Sequence, residues 1–427
     1  VLTTKEGTKM YLSPAKGLTK ASDANGNVVN ISKNGFTHSD GYGINFTRDS
    51  KGRIISATET DSKNNVINSI KYGYDDNGDL VLTTDYAGRD IIYSYDDDHN
   101  LTEILDPSGK PVARNEYDEN GRLKATVDSN GNRIEYEHDI DAKMEVVRDR
   151  NGNPTVFYYD DNGNVIKTID ALGNSTTNKY DADNKLIEST DANGNVTKYE
   201  RDKDGNLKTL ILPDGTKEEL KYNDLNIVNS IKADDKLLVS MDYDSKGNIT
   251  GMTDALGNKT DLTYEKDGKL SSISDEIGQV KKLKYDENGN LISLEDGNQN
   301  STTYEYDEKN RCTGVTVTRT ENGEQKEYTS RYVYDKAGNV TSKISNTGMV
   351  TTYEYDYKNN VTAAVSSDGL RTEYTYDSED NLTYAAYSDG TSETFEYDKN
   401  GNNIKATDRY GITVSMEYDV LNRLTTK

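Results

Sequence analysis

A tyrosine–aspartate pair returns every twenty-one residues from Tyr74-Asp75 to Tyr418-Asp419. A fixed period of that length makes the chain an array of like supersecondary units and not a fold built around one pocket. The tyrosine anchors are Tyr74, Tyr95, Tyr117, Tyr159, Tyr180, Tyr222, Tyr243, Tyr264, Tyr285, Tyr306, Tyr334, Tyr355, Tyr376, Tyr397 and Tyr418, with His138 and Arg201 filling the same place in two further units. Only two of the sixteen steps depart from twenty-one: one residue is added before Tyr117 and seven before Tyr334.

Fixed positions inside the unit reveal backbone geometry. Four residues after the anchor stands Gly or Asn in fourteen of seventeen units, the residue types that best tolerate positive φ. Six residues after it stands an apolar side chain such as Leu80, Val165, Leu207 or Leu291, with Asn403 the polar exception. The unit therefore reads as strand, turn, strand, turn, in which D-x-x-G fits a three-residue hairpin loop with a left-handed fourth residue. The Asp carboxylate is placed to accept the turn's N–H groups.

An odd repeat length adds a parity condition, because side chains alternate faces with period two. Two three-residue loops would flip the tyrosine from one unit to the next, so a two-residue loop is expected at the second turn, which ends in pairs such as Asn130-Gly131 and Asp214-Gly215. The anchor, the residue two before it (Tyr93, Phe157, Tyr304, Phe395) and the apolar residue six after it then share one face. Apolar residues also favour the ninth position (Ile104, Val147, Leu210, Leu294). Their parity is wrong for that face and requires either a bulge or two partly apolar faces.

Residues 1–73 are expected to be degenerate repeats with longer hairpins, since Arg48-Asp49, Gly52 and Ile54 keep the spacing of a unit, and residues 74–427 a regular array continuous with them. The fold class expected is all-β: tandem antiparallel hairpins forming one curled or spiralling sheet, a coiled ribbon or hollow barrel. Only 32% of residues are hydrophobic and mean hydropathy is −0.92, too little apolar matter for a thick core, while the regular alternation argues against disorder. About thirty-six strands at roughly 4.8 Å would make a ribbon on the order of 170 Å wide, which strand twist must curl.

The pattern Y-D-x-x-G-N-L followed by D-x-x-G-N-x-T-x-Y resembles the YD repeat of the Rhs, wall-associated and teneurin family over at least residues 74–427. Asn more often than Arg after the turn glycine makes it resemble the Gram-positive wall-associated type. The resemblance implies a β-sheet shell that, in bacterial members, commonly encloses a C-terminal toxin domain. It also implies secretion or cell-surface location. The Pro-rich self-cleavage signature of such proteins is not found; Asp106-Pro107-Ser108-Gly109 shares part of it within an ordinary second turn.

Candidate chemistry is sparse. Cys312, the only cysteine, falls at the apolar sixth position after Tyr306 and is expected to be a buried structural thiol. His138 replaces an anchor, His99 a turn glycine, and His38 lies in an irregular hairpin, so the three imidazoles form neither a triad nor a metal cluster. Asp23–Asn27, Asp160–Asn164 and Asp191–Asn195 resemble the start of calcium loops but lack the bidentate Glu at the twelfth position. No catalytic, cofactor or metal residue is assigned, and no cofactor is expected. Strict strand phase assigns the tyrosines to packing rather than to a glycan platform; choline-type cell-wall repeats depend on tryptophan, and there is none. A net charge of −24 disfavours nucleic acid and anionic membrane as partners. No segment is long and apolar enough for a transmembrane helix.

Two functional classes follow. One is a structural shell segment whose partners are the rest of a longer YD-repeat chain and an enclosed effector. The other is an adhesin or carbohydrate-binding module with a surface glycan as partner. A start inside a strand-like run and an end eight residues past an anchor lead us to expect a piece of a longer array.

Overall fold

The computed structural model describes residues 1–4, 7–278, 280–298 and 300–427. Among them there is no helix. Forty-two strands alternate with turns, forty in one antiparallel sheet and the last two, Glu417–Tyr418 and Leu424–Thr426, in a separate short hairpin. Strands pair with their sequence neighbours: Asp90–Tyr95 takes Leu80–Thr84 on one side and Leu101–Leu105 on the other. The expected all-β array of antiparallel hairpins in sequence order is present as one long sheet, and that sheet is not closed on itself. Closure of that kind would need strands distant in sequence to share a ladder, whereas here distant parts meet through their turns.

Both turns of the unit are three-residue loops. In the first turn Asp160 donates its N–H to the Asn164 carbonyl at 3.0 Å, and the Gly163 N–H reaches the Asp160 carbonyl at 3.2 Å. The second turn repeats this, with Asp170 and Asn174 at 3.0 Å and Gly173 and Asp170 at 2.9 Å. The expected two-residue second loop is therefore wrong. Two-residue loops with positive φ at both positions do occur at Asp234-Asp235 and at Asn322-Gly323, the tip of the seven-residue insertion.

Parity is restored by a bulge. Tyr285 pairs with Leu291, but Lys284 pairs with Ser293 and Leu283 with Leu294, leaving Ile292 without a partner across the ladder. One unpaired residue shifts the alternation once per unit, so two odd loops plus one bulge return every anchor to the same face. The shift also brings the ninth residue onto the anchor's face, opposite the residue two before it: Tyr93 against Ile104, Leu283 against Leu294, Tyr304 against Val315. Arg48 pairs with Ile54 across the same kind of bulge, which carries the unit's geometry into the first seventy residues.

The chain divides into two compact units interleaved in sequence. One comprises Val1–Lys71, Tyr199–Val333 and Lys343–Gly348; the other comprises Tyr72–Lys198, Tyr334–Ser342 and Met349–Lys427. Neither has a thick core. The buried apolar residues described are Ile67, Ala125, Val127, Val146, Ala363 and Ala385, and no large side chain is fully buried. On the face opposite the anchors Ala125 lies between Glu116 and Glu135 in the ladder, and Arg133 bridges both carboxylates. Arg371 does the same with Glu354 and Glu373 beside Ala363. A small residue at that position leaves room for the charged arch, and the aliphatic stem of Arg covers what the alanine exposes.

Candidate functional site: hydroxyl staples and turn seams

All fifteen anchor tyrosines are half-buried, and in most units the preceding residue is exposed, as at Lys282, Leu283, Lys284 and Tyr285. What singles out Tyr among aromatics is its hydroxyl. Tyr95 donates to the Leu80 carbonyl at 2.9 Å, Tyr243 to Val228 at 2.6 Å, Tyr285 to Leu270 at 3.0 Å, Tyr355 to Val340 at 2.7 Å and Tyr397 to Leu382 at 2.9 Å. Each acceptor is the residue six after the preceding anchor, so each of these repeats is stapled to the one before. Across the extra residue before Tyr117 the bond still forms, to Leu101 at 2.8 Å. His138 substitutes its Nε2 on the Leu123 carbonyl at 2.9 Å, which requires the proton on that nitrogen. Tyr159 instead reaches the Glu145 carboxylate at 3.3 Å. Burial raises the phenol pKa of Tyr243, Tyr285 and Tyr355 above its ordinary value, so the staples stay protonated donors.

The turn Asp uses both carboxylate oxygens. Asp160 Oδ1 accepts the N–H groups of Asn162 and Asn164 at 2.9 Å each, and Oδ2 accepts Asn164 Nδ2 at 2.9 Å. An Arg in the Asn position does the same with Nε: Arg53 to Asp49 at 2.8 Å, Arg311 to Asp307 at 2.7 Å. That is why Asn and Arg alternate there. The Asn164 side chain holds the Asp160 carboxyl below its usual range. Where the fourth residue is Asn, its side chain accepts from the previous turn: Asn164 Nδ2 to Asn184 Oδ1 at 2.8 Å, Asn206 to Asn226 at 2.7 Å, Asn402 to Asn422 at 2.7 Å. The first turns are thereby laced along one edge of the sheet.

The two edges of the sheet then meet. In the unit that includes Tyr72–Lys198, second turns mesh one to one with first turns about twelve repeats later. Tyr86 donates to the Ala337 carbonyl at 2.6 Å, Tyr357 to Asp106 Oδ2 at 2.7 Å, Ser129 to Glu379 at 2.6 Å, Ser378 to Asn130 at 2.6 Å and Asn400 to Asp149 Oδ2 at 2.8 Å. Arg150 ties Asp128, 2.9 Å away, to Glu379 at 3.4 Å. Within the other unit Asn25 and Asn248 exchange amide hydrogen bonds at 3.1 and 2.9 Å, and Asn310 donates to Tyr42 at 2.8 Å. Asp106 is almost fully buried. Burial alone would push its carboxyl up, but bonds from Ser108, Tyr357 and the Lys110 N–H outweigh it and hold the pKa at about 2. A cleft of about 670 Å³ opens along this seam beside Arg150, Glu379, Phe395 and Asp398.

Other candidates stay scattered. Cys312 is half-buried, not buried as expected, because it faces Tyr306 across a sheet with no second layer; its Sγ reaches the Gly314 carbonyl at 3.4 Å. His99 sits in the left-handed turn position with φ 64° and pairs with Asp79 at 2.8 Å. His38 pairs with Asp40 at 2.7 Å. The calcium-like segments are occupied by their own turn bonds, as at Asp23, which holds Asn27 by N–H and Nδ2. Among the described residues no group of three or more His, Cys, Asp or Glu is arranged to hold a metal. Of the seam residues, Arg150, Tyr357 and Glu379 are not singled out by the sequence, and Asp106 stands out only as the start of an ordinary second turn. Their signal was an aromatic at a turn tip, at Tyr86 in a second turn and at Tyr357 in a first turn, where tips are otherwise mostly polar.

The sequence profile of the teneurin YD-shell matches residues 1–134 and 230–356, more than half of the chain. The chain belongs to the teneurin YD-shell family. The RHS repeat profile matches within the YD-shell array at residues 180–217. No curated protein matches the chain. Among solved structures, this YD-shell chain is similar to a TcdB2-TccC3-TEV crystal structure, with 15% identity over 94% of this chain and 26% of that one and a TM-score of 0.52. It is also similar to the Tc holotoxin pore of Photorhabdus luminescens, with 15% identity over 97% and 26% and a TM-score of 0.51. The likeness is one of fold, and the chain spans about a quarter of the length of those chains.

Proposed function

We propose that this chain is a stretch of non-catalytic wall in a hollow β-shell, part of a secreted or cell-surface protein of the wall-associated, polymorphic-toxin type, enclosing or displaying an effector segment. The observation that carries the reading is the seam: second turns mesh with first turns about twelve repeats on, one to one, through Tyr86, Tyr357, Ser129 and Asn400. Strips joined that way extend a wall beyond the width of a single hairpin row, and such a wall works by exclusion. Its polar, acidic exterior keeps it solvated. The TcdB2-TccC3 structures support the reading by fold. An adhesin would instead need a ligand-contacting patch. Glycan-array and cell-wall binding with the purified chain separates the two: no retention favours the wall, whereas specific retention lost on substituting Phe395 and Tyr397 beside the seam cleft favours the adhesin. Hydrolysis of a cell-wall polymer, abolished by one carboxylate substitution, would overturn the non-catalytic role.

A further inference from the structure

Asparagine followed by glycine can modify itself, because no glycine side chain keeps the following amide nitrogen away from the asparagine's side-chain carbonyl carbon. The chain holds eleven such pairs. In nine of them the glycine is the left-handed residue of a three-residue turn, and the turn Asp holds its N–H. Gly121 donates to the Asp118 carbonyl at 3.0 Å, Gly152 to Asp149 at 2.9 Å, Gly194 to Asp191 at 3.0 Å and Gly401 to Asp398 at 3.1 Å, while Gly78 donates to Asp75 Oδ1 at 2.8 Å. A nitrogen held in this way keeps its proton and points away from the side chain before it. Asn34-Gly35 is closed by packing instead: Gly35 is buried, and the Ile44 carbonyl lies where a Cβ would stand.

The eleventh pair differs in each respect. Asn322 and Gly323, with φ of 53° and 83°, form the two-residue loop between the long strands Cys312–Glu321 and Glu324–Tyr334. The ladder closes at Glu321 opposite Glu324, so the loop has no turn Asp. Among the described residues the Gly323 N–H has no hydrogen-bond acceptor. The preceding strand, Ser301–Tyr306, pairs with this hairpin only as far as Thr318, and the bond from the Thr320 N–H to Asn300 Oδ1 at 3.1 Å ties the arm two residues short of the loop. Residues 322–327 are all exposed. A tip of this kind opens at little cost, whereas a laced turn must first break its own bonds.

We propose that Asn322 is a site of self-modification, cyclising onto Gly323 with loss of ammonia. Once hydroxide has taken its proton, the Gly323 nitrogen attacks Asn322 Cγ. The new C–N bond closes a succinimide, the bond from Cγ to Nδ2 breaks, and the side-chain nitrogen leaves as ammonia with a proton from water. Water then adds to one of the two ring carbonyls. Opening at Cγ gives Asp; opening at the backbone carbonyl gives isoaspartate, in which the main chain runs through the former side chain. One water enters, one ammonia leaves, and nothing is oxidised or reduced. Both products place a new carboxylate between Glu324 and Glu321, whose own carboxylate accepts the Tyr328 hydroxyl at 2.9 Å and pairs with Lys326 at 3.1 Å. Isoaspartate also lengthens by one carbon a loop that is built for two residues of positive φ, so the pair of Glu321 and Glu324 is released. This inference does not depend on the shell reading.

The test ages the full chain in mildly alkaline buffer and maps its peptides by mass spectrometry with electron-based fragmentation, which separates Asn, Asp and isoaspartate. Asn322 is expected to convert first, about tenfold or more faster than Asn120, Asn151 or Asn193, since those turns must open before they react. In urea, where no turn is formed, the rates should converge. Asp75→Ala, which frees the Gly78 N–H, should speed conversion of Asn77, and amide exchange at Glu321 and Glu324 should rise as Asn322 is consumed. Conversion at Asn322 no faster than at Asn120 or Asn193, the same ranking in urea as in buffer, or no response of Asn77 to Asp75→Ala would overturn the proposal.

Discussion

The hydroxyl staple makes a sharp demand on single-atom substitutions. Tyr355→Phe removes one oxygen and leaves the half-buried ring, so the Val340 carbonyl loses a donor 2.7 Å away. A neutral hydrogen bond contributes about 1 kcal/mol net, and the cost of an orphaned acceptor is of the same order, so Tyr355→Phe should destabilise by about 1 kcal/mol. Tyr159→Phe is the internal control: its hydroxyl meets the Glu145 carboxylate at 3.3 Å, long for an O–H···O bond, and that carboxylate is partly exposed, so water can replace the donor and the loss should be under about 0.5 kcal/mol. Tyr285→Ala loses the staple and the ring, and should cost about 3 kcal/mol, as large aromatic truncations do. Urea titrations followed by far-ultraviolet circular dichroism supply the differences, and amide exchange locates them. If Tyr355→Phe were neutral, or Tyr159→Phe the more damaging, the staple would be a bystander and ring packing alone would explain the anchor.

Three further outcomes are expected. Asn403 stands where other units carry an apolar residue, and its buried Oδ1 has no partner; Asn403→Leu should therefore stabilise by about 1–2 kcal/mol in the same titrations. Asp106, held at about 2 against 3.8, contributes stability that is complete above about pH 4 and lost as pH falls through 2, at most about 2 kcal/mol; Tyr357→Phe removes one of the bonds that depress it, so acid unfolding should begin at higher pH. His99 is raised by its bond to Asp79, so any stability it adds is present below its unfolded pKa of about 6.5 and lost as pH rises through the folded value; His99→Gly should remove that dependence while keeping the left-handed turn, as read from melting temperature against pH.

Much of the local structure was legible because local rules decide it. Gly163 and Asn184 announce left-handed positions, Asp160 and Asp181 announce turns, and the twenty-one-residue phase places every anchor. Parity was legible only as a conflict: Ile104 and Leu294 sat on the wrong face until one unpaired residue per repeat unit was admitted, and a bulge carries no residue-type signal of its own here. Replacing the second loop with a two-residue turn satisfied the same arithmetic, and Asn-Gly dipeptides fit both loops, with the glycine simply displaced to the fourth turn position. The seams were illegible for a different reason. Tyr357 and Asp106 are 251 residues apart, and which turns face each other depends on the accumulated twist of many strands, which no short window of sequence contains.

The central claim is that the seams close a wall, and the most direct measurement is protease protection in the longer protein of which this chain is proposed to be part. Limited proteolysis followed by mass spectrometry would compare the wild type with a variant carrying Tyr86→Ala, Ser129→Ala, Arg150→Ala and Tyr357→Phe. The account predicts that the enclosed segment is resistant in the wild type and cut in the variant while the repeats themselves remain intact. Equal susceptibility of that segment in both proteins would contradict it.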